Sequence, residues 1–333
     1  MAIAEHRQAV RAAERTGREL RVLFGRLGTT EHPRGAVLSA YRNARGALRD
    51  VLRRRSRMMA VEGTQVLAGL RETVDSVAMG MLLQAGQIGA EQAQVELEAY
   101  GGDHGVWSPY VGEIQAAHAA WMGPVDAQIA GARAALMMGW DEAMVTGDEE
   151  RVGLLNPAVV VREGARWLAI AALAAWLAQV DARQERLGTP FDRQAIAAID
   201  ERTTDCCLRV HGQVVGLRAD FLLTGTPRFA DKLRDPPFHW WCRTSVCLVR
   251  PEDADDQLSQ AMREAARAEL AARAEAQRHI EEIKAELARV GAAQDVRARK
   301  GDSPYITGLR NDLRMWRARE RVEIHPASAT SRR

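Results

Sequence analysis

The chain has little of several residue types that mark common classes of protein. Its 333 residues include only three lysines against 43 arginines, four cysteines, and 5% aromatic residues. Four cysteines are too few to cross-link a secreted chain of this length, so we do not expect a disulfide framework. The formal net charge of +2 is close to neutral, so nothing global indicates a dedicated nucleic-acid-binding protein.

Long apolar runs and common catalytic motifs are also absent from the sequence. The N-terminus is charged throughout, and the most apolar run, residues 167–178, is too short to cross a bilayer. The sequence contains no G-x-S-x-G elbow, no phosphate loop G-x-x-x-x-G-K-T and no H-E-x-x-H. We therefore expect a soluble protein that has no membrane partner and is not an enzyme.

Apolar residues recur at helical spacing through most of the chain. Leu20, Leu23, Phe24 and Leu27 repeat at intervals of three and four, which is typical of a helix with one buried face. The same spacing of apolar residues recurs in later segments of the chain. The predicted fold class is therefore mainly α, with a multi-helix N-terminal region, a small α+β Cys/His module and a long C-terminal helix.

The pattern of helices and breaks divides the chain into five segments. They are an N-terminal helical region (1–150), a central long helix and connector (151–199), the Cys/His module (200–249), a long amphipathic helix (250–290) and a basic, partly disordered tail (291–333).

Residues 200–249 hold all four cysteines and two of the eight histidines. Cys207 and His211 are four residues apart. If the helical-looking run DRQAIAAIDERTT, residues 192–204, continues through them, both side chains lie on one face of a helix. They would then be within reach of a common ion.

The second half of this segment supplies another candidate pair. His239 and Cys242 have the two-residue gap that lets one tight turn direct an imidazole and a thiolate at the same point. Residues 244–249 alternate like a strand, which turns Cys247 away from the Cys242 side. The predicted metal ligands are Cys207, His211, His239 and Cys242, with zinc as the candidate ion.

Two other interpretations of the cysteines remain open at this point. A small cap can bury free thiols without any metal, and residues 212–238 form a longer spacer than common zinc fingers have. A disulfide is the third interpretation, although no secretory signal accompanies it.

An ordered set of unlike residues in this segment resembles the minor head protein, or head morphogenesis, family of tailed bacteriophages and their prophages. The family pattern is an aspartate followed by Arg-Thr, a cysteine, a Gly-x-Val turn, prolines and a His-x-x-Cys-Arg group. The matching residues are Asp200, Arg202, Thr203, Cys207, Gly212, Val214, Pro236, Pro237, His239, Cys242 and Arg243.

The resemblance covers about 50 residues and departs from the family in two places. Many relatives carry Pro-Asn between the histidine and the cysteine, where this chain has Trp240 and Trp241. They also often carry a second cysteine just after the arginine, where this chain has Thr244. The missing cysteine removes one candidate metal ligand.

The resemblance implies a structural protein of the virion head that is made in the host cytoplasm. Such a protein acts in procapsid assembly at the portal vertex and in DNA packaging or delivery. The implied partners are the portal protein, other head or scaffolding proteins, and DNA. Two rivals remain: a metal-dependent nuclease using Asp205, His211 and His239, and a DNA-binding protein using the arginines at 53–55.

Overall fold

The protein was analysed as a computed structural model, which describes residues 2–28, 34–54, 58–101, 110–138, 155–187, 190–200, 202–294 and 312–313. Most of the predicted tail, 291–333, lies outside these residues, as does Arg55 of the arginine-rich stretch.

Seven α-helices run through the described part of the chain. They are α1 (Ala2–Leu27), α2 (Ala36–Arg54), α3 (Met59–Ala99), α4 (Val111–Met138), α5 (Pro157–Leu187), α6 (Asp205–Val210) and α7 (Gln257–Gln294). These segments are rich in alanine, leucine, arginine and glutamate, which have high helix propensity. The predicted mainly α fold class, with its long C-terminal helix, is confirmed.

Helices α3 and α5 form the centre of the helical body. α3 also packs against α1, α2 and α4, and its most extensive contact is with α5. The two backbones approach closely because small residues lie between them: a Cβ atom added to Gly89 would be 1.8 Å from the carbonyl oxygen of Ala172. The buried side chain of Trp121 belongs to one core cluster and that of Trp176 to the other. The predicted central helix is therefore one member of a central pair.

The close approach at Gly89 makes a matched pair of substitutions on α3 informative. Gly89→Ala should lower the free energy of unfolding by about 1–3 kcal/mol, because the added methyl meets backbone that cannot move aside easily. Gly80 is exposed, with open space at its Cβ position. Gly80→Ala should leave stability unchanged or raise it by up to about 1 kcal/mol. Urea denaturation measures both, and equal effects would contradict the packing of α3 on α5.

The strands form two small antiparallel sheets after α5. Strands β1 (Asp192–Ile196), β2 (Val214–Gly216) and β5 (Ser245–Val249) form one sheet in the order β2-β1-β5. Strands β3 (Phe221–Leu222) and β4 (Lys232–Leu233) form the other.

The helical prediction for residues 192–204 is wrong at its start, because residues 192–196 form the central strand β1. Gln194 pairs with Cys247 of β5 on one side and with Val214 of β2 on the other. Four of the five residues are buried, so the strand has no exposed face. A strand buried on both faces lacks the polar alternation that identifies strands in sequence, and the three alanines within residues 192–204 suggest a helix instead.

Side chains from α3 and from Tyr100, which follows it, satisfy the outer edge of β5. Gln92 donates to the carbonyl oxygen of Val246 at 2.5 Å, and the Tyr100 hydroxyl donates to that of Leu248 at 3.1 Å. Glu96 accepts from the amide of Leu248 at 3.0 Å. Buried backbone groups without partners cost free energy. The helical body therefore supplies the hydrogen bonds that a further strand would otherwise make.

Glu96 is a fully buried carboxyl group at this contact. Besides the amide of Leu248, it accepts hydrogen bonds from Gln92 at 2.6 Å and from the indole nitrogen of Trp176 at 3.0 Å. Burial outweighs these hydrogen bonds and raises the pKa of Glu96 from its usual 4.5 to about 8. One side chain thus joins α3, α5 and β5.

The raised pKa of Glu96 predicts how stability changes with pH. Between its usual pKa of 4.5 and about 8, the folded protein holds a proton that the unfolded chain has lost. The Glu96 contribution to the free energy of unfolding should therefore fall as pH rises through this range. Glu96→Gln should remove that contribution, whereas Glu91→Gln, at an exposed position on the same helix, should retain it. Urea denaturation at several pH values tests this, and an unchanged pH slope in Glu96→Gln would contradict it.

Candidate metal centre

Helix α6 positions Cys207 in its first turn. Thr204 precedes the helix in an extended conformation, and its hydroxyl accepts from the amide of Cys207 at 3.3 Å. Threonine is a favoured residue at this capping position, and Asp205 adds a negative charge at the positive end of the helix. The sequence Thr-Asp before the two cysteines therefore fixes where α6 begins.

His211 does not join Cys207, contrary to the prediction from their spacing. Helix α6 ends at Val210, and His211 is extended, with φ −58° and ψ 127°. Its Nδ1 accepts a hydrogen bond from the amide of Ala197 at 2.9 Å, next to strand β1. Burial lowers the pKa of His211 to about 4. The four-residue spacing fails because the helix stops one residue too early.

His239 and Cys242 are joined by the tight turn that their spacing predicts. The amide of Cys242 donates to the carbonyl oxygen of His239 at 3.3 Å. Trp241, the third residue of the turn, has φ 63°, a conformation that a bulky residue adopts only when its surroundings hold it. Its ring packs edge-on against Phe24 of α1 at 6.2 Å. Contact with α1 thus helps to hold the turn.

Cys207, His239 and Cys242 form one buried group that could hold a metal ion. Their ligand atoms all lie within 4.8 Å of one another. The two sulfur atoms are 3.7 Å apart. Two thiolates bound tetrahedrally at about 2.3 Å from one zinc ion would be about 3.8 Å apart. The sulfur positions therefore fit a shared ion without rearrangement.

The imidazole of His239 has the orientation of a metal ligand. Its Nδ1 lies 2.5 Å from the carbonyl oxygen of Trp240, which can only accept, so Nδ1 carries the proton. The Nε2 lone pair then faces Cys207 Sγ at 2.9 Å and Thr204 Oγ1 at 2.8 Å. A backbone carbonyl fixes the tautomer in this way at many metal sites. Because tetrahedral ligation needs about 3.6 Å between sulfur and nitrogen, the ring must move slightly to share an ion.

The two thiols have opposite pKa shifts. Burial raises the pKa of Cys207 well above its usual value, and the neighbouring Cys242 raises it further. Burial also raises the pKa of Cys242, but the Cys207 thiol and His239 outweigh it and leave this pKa well below the usual value. The two thiols therefore titrate as a pair, which loses its first proton more readily than its second. The two sulfurs are not bonded to each other, and all four cysteines are free thiols.

An ion pair outside the ligand group joins the same two parts of the chain. Arg243 donates to both carboxylate oxygens of Asp200 at 2.7 Å each. Burial raises the pKa of Asp200, but the Arg243 guanidinium overrides this and leaves the pKa well below its usual range. Arg273 of α7 donates to the backbone carbonyl of Asp200 at 2.8 Å and to that of Thr203. Helix α7 therefore holds the segment that leads into α6.

A small cleft lies beside the ligand group. Its volume is about 10 Å³, and its lining includes Cys207, His239, Thr204 and Thr244. The Thr244 side chain is buried, and within the described residues its hydroxyl oxygen has no hydrogen-bond partner with acceptable geometry. This is room for about one water molecule. Three protein ligands leave one position of a tetrahedral ion for a further donor, and this cleft offers it a place.

Three of the four predicted ligands thus lie together, and His211 lies apart from them. Cys206 and Cys247 are buried outside the group, as the strand alternation predicts for Cys247. The role of Thr204 was not predicted, although a threonine before an acidic residue is a recognisable start of a helix.

Comparison with protein-family models, curated proteins and solved structures finds no match for this chain. Within the described residues, no helix combines the length and the apolar character needed to cross a membrane. The interpretation of the site therefore depends on its own geometry.

Two cysteine substitutions separate metal binding from simple thiol burial. Cys242 and Cys247 are both buried, but only Cys242 belongs to the ligand group. We expect wild type and Cys247→Ser to retain about one divalent metal ion per chain and Cys242→Ser to retain none. EDTA should lower the melting temperature of the first two proteins only.

Elemental analysis by mass spectrometry measures the metal content per chain, and thermal denaturation measures the melting temperature. If wild type is metal-free and both substitutions lower the melting temperature equally, the cysteines are a buried cluster without a metal.

Proposed function

We propose that this chain is a structural minor head protein of a tailed phage or prophage, acting in procapsid assembly at the portal vertex and in DNA packaging or delivery. One observation carries the proposal. The residues on which the resemblance depends are far apart in sequence, yet Asp200 pairs with Arg243, and Cys207 meets His239 and Cys242. A pattern that arose by chance would not be expected to gather at one point of the fold.

The turn between His239 and Cys242 also supports this proposal. Many members of the family that the segment resembles carry Pro-Asn where this chain has Trp240 and Trp241. Proline favours the second position of a turn, and asparagine tolerates the positive φ that Trp241 adopts at the third position. The departure in sequence is therefore compatible with the same local backbone. Arg162 of α5 lies 4.3 Å from the centre of the Trp240 ring and stabilises it by a cation–π contact.

We further propose zinc as the ion at the ligand group. Two thiolates and an imidazole suit zinc, whereas magnesium and calcium prefer oxygen ligands. In this role the ion would stabilise the contact between the segments around residues 207 and 240. The module would then be a rigid platform, and the helical body and α7 would present surfaces to the portal protein and other head or scaffolding proteins.

The ligand set also bears on the rival proposal of a metal-dependent nuclease. Such enzymes generally bind magnesium through carboxylates, and the group identified in the described residues contains none. His211, which that proposal needs beside His239, lies instead against the amide of Ala197. These observations favour a structural ion over a catalytic one.

Affinity purification during phage growth tests the proposed function. Tagged chain should co-purify with the portal protein, because both would meet at one vertex of the procapsid. Cys242→Ser should reduce portal recovery by disrupting the module, while Cys247→Ser, which leaves the ligand group in place, should retain it. Quantitative mass spectrometry of the recovered proteins gives the result.

Two outcomes would contradict the proposal. One is recovery of the folded, tagged chain without any head protein. The other is magnesium-dependent cutting of plasmid DNA that His239→Ala abolishes, because that would assign catalysis to the site.

A further inference from the structure

A cleft on the other side of α6 has the size of a small-molecule binding site. It lies between α6, strand β2 and the first half of α7, and its volume is about 660 Å³. Leu208, Val214, Val215, Ala266 and Leu270 contribute apolar surface to its lining. Ligand sites of small molecules commonly measure about 300–1,000 Å³ and combine an apolar lining with a few polar groups.

The charged residues of this cleft are mainly basic. Arg209, Arg263 and Arg267 line it, against the two carboxylates of Asp192 and Asp255. Arg263 is held in place, since it donates to Asp255 at 2.9 Å and to the carbonyl oxygen of Gly212 at 3.2 Å. Gly212 has φ +76°, and a Cβ atom there would lie 2.9 Å from Arg263 Cγ. The glycine of this turn therefore lets Arg263 approach the cleft wall.

Arg267 is the most available of the three arginines. It is exposed on α7, and no ion pair to it is found within the described part of the chain. Arg209 also has spare capacity, because its contact with Asp205 is a single hydrogen bond at the surface, 3.3 Å long. A guanidinium has five N–H donors in a fixed geometry that suits phosphate oxygens.

His211 adds a neutral donor to the same cleft. The histidine is only 7% exposed and lines the cleft. Its Nδ1 must be unprotonated because it accepts from the amide of Ala197, so the proton of the neutral ring is on Nε2. Within the described residues, Nε2 of His211 makes no hydrogen bond. The Nε2–H group is not among the buried polar atoms that lack a partner, so it is a donor that solvent or a ligand in the cleft can reach.

We propose that this cleft binds a small phosphomonoester with an apolar body, of about the size of a mononucleotide. Arg267, Arg209 and the Nε2 donor of His211 would bind the phosphate, and the apolar lining would contact the rest of the molecule. A phosphate group has several acceptor oxygens and can use donors from different elements, whereas a carboxylate is satisfied by one arginine. The proposal is independent of the metal and of the head-protein assignment.

Isothermal titration calorimetry on the full chain, with dAMP, inorganic phosphate and deoxyadenosine as probes, tests this site. dAMP should bind, and deoxyadenosine, which lacks the phosphate, should not. Arg267→Ala should weaken dAMP binding about tenfold, because it removes a charge-assisted contact. Arg278→Ala replaces an exposed arginine further along α7 that does not line the cleft, and should change the affinity less than about twofold.

His211→Asn probes the neutral donor without removing the structural hydrogen bond. The asparagine Oδ1 can accept from the amide of Ala197 in place of Nδ1, while the Nε2 donor is lost. dAMP affinity should fall several-fold, with the melting temperature close to that of wild type.

Three results would overturn the assignment of this cleft. The first is that neither dAMP nor inorganic phosphate binds. The second is that dAMP and deoxyadenosine bind with equal affinity. The third is that Arg267→Ala and Arg278→Ala weaken dAMP binding equally.

Discussion

The meeting of Cys207 with His239 and Cys242 is the contact on which the rest of the module depends. Cys207 and His239 are 32 residues apart in sequence, and the chain between them contains only the end of α6, short strands and turns. Closing such a loop costs conformational entropy, and the few hydrogen bonds of short strands offset little of that cost. The two-sulfur, one-imidazole group and the Asp200–Arg243 ion pair hold the two ends together. A shared metal ion would add the most to this closure.

The helical body provides the second constraint. Strand β5 follows the Cys242 turn directly, and its outer edge is satisfied by side chains of α3 and by Tyr100 rather than by another strand. Residues of α1, α3 and α5 pack in one core with those of the sheet. A module of about 50 residues buries too little apolar surface to be stable alone. Its integrity and that of the helices are therefore linked.

The sequence predicts the parts of this structure that local spacing determines. Helices with regular apolar stripes were predicted, and so was the turn from His239 to Cys242, because three or four neighbouring residues specify each of them. Strand β1 was missed because its conformation depends on pairing with β2 and β5, which lie elsewhere in the chain. His211 was misplaced because the end of α6 depends on the turn after it. The buried Glu96 contact joins elements about 150 residues apart and leaves no local signal.

Zinc K-edge X-ray absorption of the purified chain tests most directly whether Cys207 and Cys242 share a zinc ion. If they share zinc, its first coordination shell contains two sulfur atoms at about 2.3 Å, together with one imidazole nitrogen and one further light donor at about 2.0 Å. Zinc surrounded only by oxygen and nitrogen, or a purified chain that contains no metal ion, would contradict a shared ion at Cys207 and Cys242.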